Sequence, residues 1–348
     1  MFFGCKDYEN PSYPIILFVI FAAEMKRQRL FTIFMVLWLV AGTTTARQKV
    51  GLVFGGGGAK GAAEVGVLKV LEENGIKPDY IVGTSIGSIV GGLYAAGYTA
   101  SELETMFKTQ EWLSLLTDRE SELSNEPYIT KNGVTYIFGF PVMDKKSKGL
   151  GMMKGERIEQ VLDSMVAAKK CRKIEKLKIP FRCVAADVRT AQEVVLSKGS
   201  VASAMRASMA IPGIFKPVSK GDWLLVDGGM LNNLPVDVCR EMGADIVIAI
   251  DLQQEEKQPK QKNDNPLLTG LGNLLGVGAI IDWILNRPDI DKYYENRSKA
   301  DIYIHPEIQG LDAASFGNKN SAKMIKAGEE AAKKVADQLT AHYSTFLR

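Results

Sequence analysis

The chain has 348 residues, of which 46% are hydrophobic and 24% charged, and its formal net charge is +3 at pH 7. These values are ordinary for a folded globular protein and allow one large α/β domain or two modest ones. The basic residues are scattered and do not form a stripe with interleaved aromatic residues, so we expect no nucleic-acid partner.

The first 46 residues differ in character from the rest, because they contain two apolar runs at 15–23 and 30–41. Each run is shorter than the roughly 20 apolar residues that a membrane-spanning helix needs. From Met25 the order is a basic start, the second apolar run and then small residues, which is typical of a signal peptide. We therefore predict that 1–46 is an upstream extension and a signal peptide starting at Met25, with a two-step membrane anchor as the alternative.

From Gln48 onward, short β-rich runs alternate with helical stretches, the pattern of an α/β domain with a largely parallel sheet. Predicted strands are 49–54, 80–83, 181–187, 193–197, 223–226, 245–251 and 301–305. Predicted helices are 59–74, 86–96, 101–109, 154–168, 200–207, 235–242 and 321–339. The polar segment 110–150, with a hairpin predicted around Asn132 and Gly133, is expected to form a flap over one end of the sheet.

Two later segments set the predicted domain boundaries. The run 253–265 is charged and almost free of apolar residues, as in a linker or surface loop. The apolar segment 266–285 is predicted to cover the sheet as a helix, with a lipid-contacting surface as the alternative. We therefore predict a catalytic core at 47–252 and a C-terminal segment at 266–348 packed on it.

The cysteines and histidines exclude two further classes of site. Beyond the predicted leader the cysteines are Cys171, Cys183 and Cys239, and this odd set is not a disulfide framework. Their wide spacing has no C-x-x-C pair, and the chain has only His305 and His342. We therefore expect no metal site.

The glycine-rich segment 55–61 follows the first predicted strand directly and leads into a helix. Four consecutive glycines leave backbone N–H groups uncovered, and the helix N-terminus adds partial positive charge, so the segment can cradle an anion. Such loops also mark dinucleotide sites. That interpretation is weakened because the second predicted strand ends without a ribose-binding acid, and the chain has no Gly-Lys-Ser/Thr phosphate loop.

The end of the second predicted strand reads Gly83-Thr84-Ser85-Ile86-Gly87, a G-x-S-x-G sequence between a strand and a helix. A nucleophile elbow has this form, because a strained turn projects the serine while neighbouring backbone passes very near. Ser85 is therefore the candidate nucleophile. Attack on an ester makes an oxyanion, which the N–H groups of Gly57 and Gly58 could receive.

A base for this serine is harder to find, since no histidine precedes His305. Asp227 ends a predicted strand and begins Asp-Gly-Gly, which sets a carboxylate at the sheet edge where α/β active sites lie. Such an aspartate must be partly desolvated to act as a base. A triad of Ser85, Asp251 and His305 is the alternative.

The three motifs resemble, in order and in their expected elements, the signatures of the patatin-like phospholipases, over roughly residues 49–251. The resemblance implies a three-layer α/β/α fold with a mostly parallel central sheet. It also implies a lipid acyl hydrolase, of the phospholipase A or lysophospholipase kind, with a Ser85–Asp227 dyad and neither metal nor cofactor. The implied oxyanion hole is formed by Gly56, Gly57 and Gly58. The implied supporting motif residues are Lys60, Gly61, Gly83, Gly87, Gly228 and Gly229.

The resemblance further implies a phospholipid or other acyl-ester substrate and a membrane surface as partner. With the predicted leader, it indicates a bacterial protein that is periplasmic, outer-membrane-associated or secreted. Some relatives carry a following barrel, so the chain could also be the leading part of a longer protein. The alternative from another functional class is a catalytically inactive lipid- or nucleotide-binding module, in which the glycine loops have only a structural role.

Overall fold

The computed structural model describes residues 47–110, 112–116, 128–131, 134–137, 140–144, 153–212, 214–253, 289–336 and 338. The predicted signal peptide, nearly all of the predicted linker and the apolar segment 266–285 lie outside these ranges. The described residues from Gln48 onward cluster as one compact unit. Within the described ranges, no helix is both long enough and apolar enough to cross a membrane.

The strands and helices follow the predicted alternation from Gln48 onward. The strands are β1 Val50–Phe54, β2 Tyr80–Thr84, β3 Tyr128–Lys131, β4 Val134–Ile137, β5 Phe140–Asp144, β6 Phe181–Asp187, β7 Gln192–Leu196, β8 Val218–Lys220, β9 Trp223–Asp227, β10 Ile246–Ile250 and β11 Ile302–Ile304. The helices are α1 Ala62–Glu73, α2 Ile86–Ala96, α3 Ala100–Thr109, α4 Trp112–Leu116, α5 Glu156–Ala168, α6 Val201–Ser208, α7 Val236–Glu241, α8 Ile290–Ser298 and α9 Asn318–Lys334.

The main sheet is parallel along the strand order β11-β10-β1-β2-β6. Strands β7 and β9 pair with β6 in the antiparallel sense, and β8 pairs with β9 in the same sense. Because β11 belongs to this sheet, the sheet extends into the predicted C-terminal segment 266–348. The boundaries predicted for the core, linker and C-terminal segment remain predictions.

Helices cover both faces of this sheet. Successive strand side chains point to opposite faces, and in β1 Leu52 and Phe54 enter one buried cluster while Val53 enters another. The first cluster includes residues of α1, α2, α6 and α9, and the second includes residues of α7 and α8. The predicted three-layer α/β/α fold with a mostly parallel central sheet is therefore confirmed.

Three strands pair with β6, and their registers show which two share one of its sides. β2 and β7 both pair with Cys183, so they lie on opposite sides of β6. β7 and β9 both pair with Ala185, so β9 lies on the side of β2. On that side Thr84, which ends β2, faces Val184, and Asp227, which ends β9, faces Ala185. The C-terminal ends of two strands running in opposite directions therefore meet at neighbouring positions of β6.

The elements that the sequence analysis did not predict are short or lack an apolar period. The hairpin of β3 and β4, with Lys131 paired to Val134, agrees with the prediction around Asn132 and Gly133, and β5 adds an unpredicted third strand. β8 has 3 residues, too few for a period to show. α8 was missed because its buried residues are only Tyr293 and Asn296.

Candidate active site

Ser85 sits in a strained turn between β2 and α2. Its φ is 56° and its ψ is −124°, a backbone conformation that costs a non-glycine residue free energy and persists only where the surrounding structure holds it. A Cβ at Gly83 would lie 2.3 Å from the Gly87 carbonyl oxygen, and one at Gly87 would lie 2.5 Å from that of Phe54. The glycines on either side of the serine are therefore required by close backbone approach, as predicted for a nucleophile elbow.

Two further serines hold this turn in place. The Ser85 N–H donates to Ser208 Oγ at 2.9 Å, and the Ser208 hydroxyl donates to the Val184 carbonyl at 2.6 Å. The Ser88 hydroxyl donates to the Ser85 carbonyl at 2.6 Å. Ser208 was not predicted as a site residue, since a hydroxyl at the end of a helix is too common to signal this role.

The hydroxyl of Ser85 donates to Asp227 Oδ2 at 2.6 Å, and the Gly229 N–H donates to Asp227 Oδ1 at 2.7 Å. Ser85 is 7% exposed and Asp227 is 5% exposed. Burial raises the pKa of the Asp227 carboxyl to about 6, against the opposing effect of the hydrogen bonds from Ser85 and Gly229. The structure thus brings together the two side chains that the sequence analysis singled out.

The route by which Asp227 reaches Ser85 differs from the expected one. We expected both residues to follow parallel strands at one sheet edge, but β9 runs antiparallel to β6. Asp227 reaches the serine because β9 meets β2 end to end along β6. The two glycines after Asp227 fit the crowding there, since a Cβ at Gly228 would lie 2.2 Å from the Val184 carbonyl oxygen.

The glycine-rich loop lies beside Ser85, and it offers fewer donors than predicted. The N–H of Gly56 donates to the Asn233 carbonyl at 3.2 Å, so the predicted oxyanion hole has to be corrected by removing Gly56 as a donor. The N–H groups of Gly57 and Gly58 donate to no group in the described part of the chain, and both glycines line the cavity that contains Ser85. These two remain the candidate oxyanion donors.

Lys60 and Gly61 support the loop from behind. Lys60 Nζ donates to the Leu252 carbonyl at 2.6 Å, and burial lowers the pKa of its ammonium group. This placement favours the loop-orienting role predicted for Lys60 over contact with a lipid phosphate. A Cβ at Gly61 would lie 2.2 Å from Ile86 Cγ1, so the loop packs tightly against the start of α2.

The alternative triad is not assembled. His305 follows β11, three strand positions from β2, a separation of roughly 14 Å at the usual strand spacing. Its Nδ1 contacts the backbone carbonyl of Asp251 at 3.0 Å. The Asp251 carboxylate accepts hydrogen bonds from the hydroxyls of Tyr293 and Tyr303. The reading with His305 as base is therefore wrong, because the fold keeps that ring away from the serine.

A cavity of about 570 Å³ opens onto Ser85 and Asp227. Most of the side chains that line it are apolar, and they include Ile86, Ile89, Trp112, Met209, Phe215 and Phe316. Its polar side chains are Ser85, Asp227, Asn233, Gln253 and Asp289. Of the apolar side chains at 205–215, Met205 lies in the core, whereas Met209 and Phe215 face this cavity. A long hydrocarbon chain fits this lining, since it exchanges water for apolar contact.

None of the three described cysteines lines the cavity. Cys171, Cys183 and Cys239 are buried free thiols. Burial raises the pKa of Cys183 and of Cys239 to about 12, so neither is a thiolate at neutral pH. Among the residues that the structure describes, no three His, Cys, Asp or Glu side chains are grouped so that they could hold a metal ion.

In this α/β/α fold, a serine lies on a strained strand-to-helix turn and its hydroxyl donates a hydrogen bond to a carboxylate. This arrangement is typical of serine hydrolases. The family model of the patatin-like phospholipases matches residues 52–240, more than half of the chain. The chain therefore belongs to the patatin-like phospholipase family.

Two relatives in sequence agree with this assignment. Patatin-like phospholipase domain-containing protein 6 of Homo sapiens is 36% identical over 210 residues, which are 60% of this chain and 14% of that protein. An uncharacterized NTE family protein of Mycobacterium bovis is 32% identical over 215 residues, 62% of this chain and 52% of that protein. The crystal structure of VipD from Legionella pneumophila aligns with a TM-score of 0.49 at 13% identity, over 84% of this chain and 67% of that one. The chain thus spans only part of the length of the relatives it matches.

Proposed function

We propose that this protein is a lipid acyl hydrolase in which Ser85 is the nucleophile and Asp227 its base. The observation that carries the proposal is the 2.6 Å hydrogen bond from Ser85 Oγ to Asp227 Oδ2, between two residues that line a mostly apolar cavity. Membership of the patatin-like phospholipase family supports it, and so does the finding that no histidine is among the described residues that line the cavity.

The first half of the proposed reaction transfers the acyl group to Ser85. Ser85 Oγ attacks the ester carbonyl carbon as its proton passes to Asp227, and the carbonyl oxygen becomes an anion. The N–H groups of Gly57 and Gly58 donate to that anion, an interaction that is strongest in the transition state. When the carbon–oxygen bond of the leaving group breaks, the proton on Asp227 passes to the departing alcohol.

The second half regenerates the enzyme. Water gives a proton to Asp227 and attacks the acyl-enzyme, and collapse of the second tetrahedral intermediate releases the fatty acid and returns a proton to Ser85. The pKa of Asp227, at about 6, supports this double role. A base whose pKa lies near the working pH accepts and returns protons more readily than an ordinary carboxylate.

The apolar lining supports acyl esters of long-chain fatty acids as substrates, with phospholipids and lysophospholipids first among them. Such substrates reside in membranes or micelles, so a membrane surface is the proposed place of action. The test is mass-spectrometric product analysis after incubating the full chain with a mixed panel of phospholipids, lysophospholipids and a simple acyl ester. We expect free fatty acid with the phosphate head group left on the glycerol. Release of phosphocholine or of a free head group instead would contradict an acyl hydrolase.

We also propose that the protein is of the exported bacterial type, from the leader pattern at 25–46. Expression of the full chain in a bacterial host with a general secretion system should yield a mature protein that begins at or near Arg47, determined by intact mass. Replacing Lys26 and Arg27 with glutamate should block this processing, because the basic start is lost. A mature chain that keeps residues 25–46 in the host envelope would contradict cleavage and favour the anchor.

A further inference from the structure

We propose that Asn233 is a positioning residue that sets the direction of the Gly57 N–H, and so builds the oxyanion hole. The inference rests on the proposed function and extends it to a residue outside the recognised motifs. Asn233 lies 4 residues beyond the Asp227-Gly228-Gly229 motif, is buried, and lines the cavity that contains Ser85.

Two hydrogen bonds join Asn233 to opposite sides of Gly56. The Gly56 N–H donates to the Asn233 carbonyl at 3.2 Å. The Asn233 side-chain amide, through Nδ2, donates to the Gly56 carbonyl at 3.1 Å. The peptide before Gly56 and the peptide after it are therefore each held by the same residue.

The second of these bonds controls the proposed oxyanion donor. The Gly56 carbonyl and the Gly57 N–H belong to one trans peptide, in which the two groups point in opposite directions. Holding the carbonyl toward Asn233 therefore fixes the Gly57 N–H so that it points away from the Asn233 amide, within the same peptide plane. Between two glycines a peptide can rotate as a unit with little steric resistance, so this loop needs an external bond to keep one orientation.

The same side chain also contacts the turn that carries the base. A Cβ at Gly56 would lie 2.2 Å from Asn233 Oδ1, and a Cβ at Gly229 would lie 2.5 Å from the same atom. The amide thus fills the space between the oxyanion loop and the residue whose N–H holds Asp227. Its neighbour Asn232 accepts a hydrogen bond from the Thr84 hydroxyl through its carbonyl at 2.9 Å. The pair Asn232 and Asn233 therefore touches all three motifs.

The test compares Asn233→Asp and Asn233→Ala with the wild-type full chain. Asn233→Asp keeps the volume but replaces the donor by an oxygen, which repels the Gly56 carbonyl. We expect kcat to fall by about 10²-fold in both variants, as when one oxyanion donor is lost, with little change in KM. The matched controls are Asn74→Asp and Asn74→Ala, because Asn74 Nδ2 donates to the Val70 carbonyl at 2.8 Å at the far end of α1. They should retain wild-type kcat.

A second readout separates positioning from a general structural role. An alkyl trifluoromethyl ketone adds reversibly to the serine and carries an oxygen anion where the oxyanion forms, whereas a fatty acid of the same length tests ground-state binding. The Kd of the ketone should rise by the same factor as kcat/KM falls, and the Kd of the fatty acid should stay within about twofold.

The results that would contradict these expectations distinguish the positioning role of Asn233 from the proposed function. If the wild type hydrolyses acyl esters and both Asn233 variants keep kcat within twofold, or lose affinity for ketone and fatty acid equally, the positioning role is overturned and the proposed function stands. Failure of both variants to fold, judged by thermal unfolding, also overturns it in favour of a purely structural role. If the wild type hydrolyses nothing, the proposed function itself has failed.

Discussion

Replacing Ser85 with alanine is expected to lower kcat/KM for acyl esters by at least about 10³-fold, the scale seen when a catalytic nucleophile is removed. The reason is chemical, since no other hydroxyl is bonded to Asp227 among the contacts that the structure describes. Fatty-acid release from a phospholipid substrate measures the effect. The fold should persist, because the hydrogen bonds that hold the turn use the backbone of residue 85.

Ser164→Ala is the matched control for this substitution. Ser164 is an exposed serine of α5 whose hydroxyl donates to the Gln160 carbonyl at 2.8 Å, and its loss should leave kcat/KM unchanged. Substantial activity in Ser85→Ala, with the control active and both proteins folded, would mean that another residue forms the acyl-enzyme.

Replacing Asp227 with asparagine is expected to lower kcat by a similar factor, because an amide cannot take the proton from Ser85.

In the wild type the Asp227 carboxyl must be ionised to act as a base, and its pKa is raised to about 6. The wild-type kcat/KM should therefore fall as pH drops below about 6 and level off above it. A pH–rate profile between pH 4 and 9 measures this; an acid limb centred near pH 4 would contradict a desolvated base.

His305→Ala is the control that separates the dyad from the triad. Because His305 contacts the backbone of Asp251 and lies outside the cavity, its loss should leave kcat near the wild-type value. Collapse of activity in a folded His305→Ala protein would restore histidine as the base.

Asp227→Asn should also make the protein more stable at neutral pH while it loses activity. The folded-state pKa of Asp227 is raised from 3.8 to about 6, so the native state binds this proton more tightly than the unfolded state does. In the wild type, this tighter proton binding contributes fully to the free energy of unfolding below about pH 4. The contribution is lost as pH rises through 6, and the difference is roughly 3 kcal/mol. The free energy of unfolding of the variant should therefore exceed that of the wild type at pH 8 and match it near pH 4. If the variant and the wild type have equal free energies of unfolding at both pH values, burial does not destabilise the ionised carboxylate of Asp227.

The elements that the sequence predicted well are those whose local pattern and tertiary role agree. β1 is an unbroken apolar run and is buried at every position, so its composition and its burial give the same assignment. α2 is confirmed at its predicted bounds because it begins at the elbow and ends at Gly97, which has φ 103°. α8 was missed because it buries only Tyr293 and Asn296, and a single aromatic residue beside a buried amide makes no apolar stripe to detect.

For the site, the motifs predicted which residues meet but not how they are supported. Ser85 and Asp227 were recognisable because a strained turn and an Asp-Gly-Gly turn leave glycines at fixed offsets. The partners of Lys60 and Gly56 lie 192 and 177 residues away, at Leu252 and Asn233. Such contacts between loops depend on the tertiary fold and leave no local pattern in the sequence. The donor role predicted for Gly56 therefore had to be corrected, and Asn233 was missed.

The most direct test of the dyad is to treat the full chain with a fluorophosphonate probe, digest it, and locate the adduct by peptide mass spectrometry. We expect one adduct on Ser85, formed in wild type and Ser164→Ala and strongly slowed in Asp227→Asn. A folded wild-type protein that forms no adduct would favour a binding module without catalysis, and an adduct on any other residue would end the assignment of Ser85 as nucleophile.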